Sequence, residues 1–168
     1  KSTSMAAMLD WRNKHAAGHI VTIEDPVEYL HKPIKYIFTQ RELGVDTNSW
    51  SMAVQSAMRQ APDVVCVGEV RNETTMEYAL QLAQTGHLCI FTVHANNAVQ
   101  TIERIMNFYP EERHQQVLMD LALNTVGIIG QRLTRLKAGG RRAVVDLLIN
   151  TPAMQDHIFK GELMEATD

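Results

Sequence analysis

The 168-residue chain has room for one globular domain that buries about two-thirds of its unfolded surface. A hydrophobic content of 45% suits a folded core and excludes disorder. With 16 Lys and Arg against 19 Asp and Glu the net charge is −3, without the basic surplus of a nucleic-acid binder, and no apolar run approaches the roughly 18 residues that span a bilayer.

The chain opens on Lys1-Ser2-Thr3, and Ser2 to Lys14 reads as a helix, with Met5, Met8 and Leu9 on one side and Gly18 ending the segment. "HIVTIED", His19 to Asp25, is a strand that ends in acid and is stopped by Pro26. Lys35 to Gln40 is a second, shorter strand. Trp50, Ala53, Val54, Ala57 and Met58 follow the helical period behind a capping Thr47-Asn48, and Pro62 closes that helix. "DVVCVG", Asp63 to Gly68, is a continuous apolar run, the mark of a strand covered on both faces. Asn72 caps a helix whose stripe is Met76, Ala79, Leu80 and Ala83, with Gly86 at its end. His87 to His94 is another buried strand. Helices over Val99 to Phe108 and Glu111 to Thr125 flank Pro110, and extended runs Gly127 to Leu136 and Arg141 to Ile149 flank a hairpin turn at "KAGG". A last helix starts at Thr151-Pro152 and ends near Gly161.

Strands alternating with helices predict an α/β layer on a mostly parallel sheet, as one domain over residues 1–168 without repeats or linkers. Cys66 and Cys89 sit inside apolar runs and read as buried thiols in a reducing cytosol, with too few neighbours for a zinc site.

A parallel sheet gathers the carboxyl ends of its strands on one edge, where ligands bind. Beyond three predicted strands stand Asp25-Pro26-Val27-Glu28, Gly68-Glu69 and His94-Ala95-Asn96. If a strand led into Lys1, the first helix would start on that edge too, and a helix start suits phosphate. Lysine can reach β/γ-phosphates, the neighbouring hydroxyl can ligate Mg²⁺, and carboxylates can hold the metal-bound water or take the attacking water's proton. The bland alternatives are a basic residue ahead of an ordinary helix, solvated strand-end acids, and histidines satisfied between packed elements. The ordered set is more specific than any one of its members.

In that order the motifs resemble the C-terminal RecA-like domain of type IV pilus retraction ATPases, within the secretion-ATPase superfamily and closest to its PilU-type branch. "KST" matches the close of Walker A, "TIEDPVEYLH" the aspartate box, "RQAPDVVCVGEVR" the Walker B region, and "TGHLCIFTVHANNA" the histidine box, while "FYPEERHQQVLMDLALN" extends the match. The resemblance implies a RecA-like P-loop NTPase core with a C-terminal hairpin and helices, lacking its first strand, the P-loop glycines and a PAS-like N-terminal domain. It implies an isolated fragment without activity. ATP and Mg²⁺ are the implied cofactors. Lys1, Ser2 and Thr3, with Glu24, Asp25 and His87, would bind the nucleotide; Ser2 and Glu69 would hold the metal; Glu28, Glu69 and His94 would act in hydrolysis, Glu28 as general base.

The family further implies a hexamer, or a mixed ring with a paralogous retraction ATPase, in the cytoplasm at the inner-membrane pilus base, working on a platform protein and not on nucleic acid. The departures are Asn72-Glu73-Thr74 after Arg71, where the family carries Arg-Asp-x-Glu-Thr, and "AMQDHI" at Ala153 to Ile158, which favours the PilU-type branch and a regulatory ring partner as the alternative function. The two cysteines exclude the four-cysteine zinc loop of extension and secretion ATPases. A small-molecule kinase would want an arginine-rich lid, and a DNA translocase would want basic residues among aromatics; neither pattern is found.

Overall fold

The computed structural model describes residues 1–162. The sequence suggests a single body; the chain packs into two compact units, Lys1–Thr92 and Val93–Asp168.

The first unit is a parallel sheet of four strands in the order β2-β1-β3-β4, with β1 at Gly18–Glu24, β2 at Tyr36–Glu42, β3 at Val64–Val67 and β4 at Leu88–Phe91. The central strands β1 and β3 are the apolar runs of the sequence, and Ile20, Val21, Ile23 and all of β3 are fully buried. Burial on both faces is what lets a strand be apolar without alternation. Helix α1 (Ser2–His15) lays Met5 and Leu9 on Ile20, Val64, Cys66 and Tyr36. Helices α2 (Trp50–Met58) and α3 (Glu73–Gln84) pack on each other, α2 also on β1 and α3 on β4.

Two expectations change in this unit, and one holds. The strand expected over His87 to His94 is β4 alone, and it is half-buried because it stands at an edge of the sheet. The cap of α2 is Ser49, whose hydroxyl accepts from Met52 N at 3.2 Å, one residue after the expected Thr47-Asn48. The departure at Asn72 leaves α3 well started: its Oδ1 accepts from Thr75 N at 3.0 Å, and Glu73 places an acid in the first turn.

The second unit holds α4 (Ala98–Met106), a 3-10 turn at Glu111–Arg113, α5 (His114–Asn124), an antiparallel hairpin of β5 (Gly127–Arg135) and β6 (Arg141–Ile149), and α6 (Pro152–Lys160). The single helix expected from Glu111 is therefore divided, its first turn winding tighter behind Pro110. Gly130 of β5 faces Asp146 of β6 and lies against the loop before α4, where a β-carbon would meet Asn97 Cα at 2.8 Å. Asp146 Oδ2 accepts from Ala98 N at 3.1 Å and so ties that loop to the hairpin. Thr151 caps α6, and Gly161 ends it at a φ of 75°, a left-handed turn that glycine adopts without strain.

Candidate functional site

All strands of the first unit run the same way, so β1, β3 and β4 finish on one edge. The loop after β3 carries Glu69 and is clamped from both sides. Gly68 N donates to Ile23 O at 2.8 Å, and Val70 N donates to Thr92 O at 2.9 Å. The first bond explains why glycine precedes Glu69. A β-carbon there would stand 3.3 Å from Ile23 O and 3.4 Å from Glu24 Cα, too close for an undisturbed backbone.

The charge of Glu69 is felt at the start of α1. Partial burial lowers the pKa of the Lys1 ammonium from its ordinary range, and the Glu69 carboxylate pulls it part of the way back. Lys1, at the N-cap of α1, makes no side-chain cap hydrogen bond, and no acid lies in the first turn. Ser2 and Thr3 open that turn, and Thr3 Oγ1 shares a 2.9 Å hydrogen bond with Tyr29 Oη. Arg71, not singled out from the sequence, pairs with Glu69: its Nη2 lies 2.6 Å from Glu69 Oε2 and its Nε donates to the same oxygen at 2.7 Å. Asp25 adds a further attraction on the Arg71 guanidinium. Opposite charges two residues apart in "EVR" were the only sequence signal for that pair.

Glu24 ends β1 buried, its Oε1 accepting from Thr22 Oγ1 at 2.7 Å and facing Gln40 Nε2 at 3.4 Å. From there the chain passes through a cis Asp25-Pro26 bond into an irregular strap, residues 25–35, on which Glu28 is exposed. The strap is moored to α1 by the buried Asn13, which donates to Lys32 O at 2.8 Å and accepts from Ile34 N at 3.0 Å and Tyr36 N at 3.1 Å. Glu69 is thus attracted to both Lys1 and Arg71, Asp25 acts on Arg71, and Thr3 is tied through Tyr29 to the strap.

His87 is not among them. It stands at the amino end of β4, bonded through Nδ1 to Thr85 Oγ1 at 3.0 Å and Leu82 O at 3.2 Å, where it closes the end of α3. Four residues of strand, about 13 Å, separate it from the edge that bears Glu69. His94 belongs to the second unit, exposed on the loop that precedes α4. Cys66 is fully buried and Cys89 lies in β4; burial pushes both thiols up, Cys89 to about 12, which leaves them inert and outside the chemistry.

The family model for type II/IV secretion system proteins matches residues 1–161. The chain belongs to this family. Among its relatives, the type IV pilus ATPase PilU of Pseudomonas aeruginosa is 54% identical over 166 residues, covering 98% of this chain and 44% of that protein. The type IV pilus retraction ATPase PilT of the same organism is 41% identical over 165 residues, covering 98% of this chain and 48% of that protein. A crystal structure of the pilus retraction motor PilT with bound ADP superposes with a TM-score of 0.94 at 43% identity, covering 99% of this chain and 48% of that one. This secretion-system chain therefore spans about half the length of these relatives, shares their α/β fold, and leans toward PilU as its motifs do.

Proposed function

We propose that the chain is the nucleotide-hydrolysing part of a pilus retraction ATPase of the PilU type. The observation that supports this reading is the attraction between the Lys1 ammonium, at the start of α1, and the Glu69 carboxylate on the loop after β3. A phosphate seated there gains from the helix start and from the lysine charge. The Ser2 hydroxyl and the Glu69 carboxylate are hard oxygen donors of the kind Mg²⁺ takes, together with water and phosphate oxygens. Among the described residues no cluster of three or more His, Cys, Asp and Glu would hold a metal, so such an ion would depend on the nucleotide.

Bound Mg²⁺–ATP would supply the phosphoryl group. Lys1, Ser2 and Thr3 orient the phosphates; Glu69, steadied by Arg71, orients the attacking water; Glu28 accepts its proton; and Glu24 and Asp25 shape the edge. In this reading the protein works as a hexamer, or in a mixed ring with a paralogue, at the cytoplasmic face of the inner membrane on a platform protein. No described helix is long and apolar enough to cross a membrane. The test is Glu69→Gln in the full-length protein. ATP affinity should stay within a few-fold while turnover falls about hundredfold or more; unchanged turnover would count against the assignment.

A second reading, a regulatory ring partner whose docking matters more than its hydrolysis, draws on the greater identity to PilU than to PilT. Undiminished pilus retraction under load with the Glu69→Gln protein would favour it.

A further inference from the structure

We infer that Gln40 and Glu42 are positioning residues for Glu28, gripping the backbone on both sides of it. This rests on the reading of Glu28 as the base that takes the water's proton. Glu28 lies on a strap without regular structure, so nothing in its own segment fixes where its carboxylate stands. Beside its bonds to α1, the strap is held around Glu28 from β2. Just before Glu28, Val27 N donates to Glu42 Oε2 at 2.9 Å. Just after it, Gln40 Nε2 donates to Tyr29 O at 2.8 Å, and His31 N donates to Gln40 Oε1 at 2.9 Å.

Gln40 and Glu42 are two apart on a strand, hence on one face, and their register partners on β1 are Thr22 and Glu24. The strap leaves β1 at Glu24 and is caught at once by the neighbouring strand. The chemistry of each grip differs. Gln40 answers a carbonyl with its N–H and an N–H with its oxygen, which an amide does and a carboxylate does not. Glu42 only accepts, so an amide oxygen would serve in its place. The bonded strap is largely exposed, and each bond contributes little to folding. A shift of the carboxylate by about 1 Å is costly to turnover all the same.

The experiment measures steady-state ATP turnover in the full-length protein for Gln40→Ala, Gln40→Glu, Glu42→Ala, Glu42→Gln, Glu28→Gln and the double variant Gln40→Ala/Glu28→Gln. We expect Gln40→Ala and Gln40→Glu to lower kcat about ten- to hundredfold with KM within about twofold. Glu42→Ala should lower it as well, while Glu42→Gln restores it. Adding Gln40→Ala to Glu28→Gln should cost nothing further, because the grip acts through that carboxylate. Wild-type kcat in both Gln40→Ala and Glu42→Ala, or an equal fall when Gln40→Ala is added to Glu28→Gln, would overturn the inference. Wild-type turnover in Glu28→Gln would overturn the assignment of the base itself, and the inference with it. Should Gln40→Ala fail to fold, the contrast between Glu42→Ala and Glu42→Gln decides.

Discussion

His31 shows how one side chain can make the strap sensitive to pH. Its ring stacks on Phe38 with centroids 4.7 Å apart and planes 10° from parallel. Burial lowers its pKa below the ordinary 6.5, opposed by the carboxylates of Glu24 and Asp10. The folded state therefore binds this proton less readily than the unfolded chain. The His31 contribution to stability is fully present above pH 6.5 and is lost as pH falls below it. Urea denaturation at pH 7.5 and at pH 5 should show a drop that is smaller in His31→Phe; the same drop in both proteins would contradict this. Asn13 holds the same strap without a charge, and its buried amide is bonded on both its oxygen and its nitrogen. Neither residue announced itself in the sequence, because one histidine or asparagine in a polar stretch carries no periodicity.

At the scale of elements, the sequence was informative wherever burial governs composition. The central strands β1 and β3 were legible as apolar runs, and α3 through the cap at Asn72 and its inward stripe. The edge strand β4 is shorter than the run "HLCIFTVH" predicts, because the ladder with β3 ends at Phe91 while the apolar pattern reaches Val93. Gly68 belongs to this scale because it lets the β3 loop close on β1. Gly68→Ala should displace Glu69 by a few tenths of an ångström, cost about 1–3 kcal/mol in stability, and lower turnover more than ATP affinity. Thermal melts and turnover that match the wild type would refute the close-approach account.

At the scale of the whole molecule, each unit has its own hydrogen-bonded sheet, and Lys1, Glu28 and Glu69 all lie in the first. The family motifs were legible because they lie at strand ends in fixed order. What tied them together was not, since the Arg71–Glu69 pair and the grip of β2 on the strap arise only when separate segments meet. The most direct test is a structure of the full-length protein with Mg²⁺ and a non-hydrolysable ATP analogue. The account predicts the β- and γ-phosphates at the start of α1, within hydrogen-bond reach of the Lys1 ammonium, with Glu69 facing the γ-phosphate directly or through water. Phosphates bound away from α1, with Lys1 and Glu69 both turned from them, would contradict it.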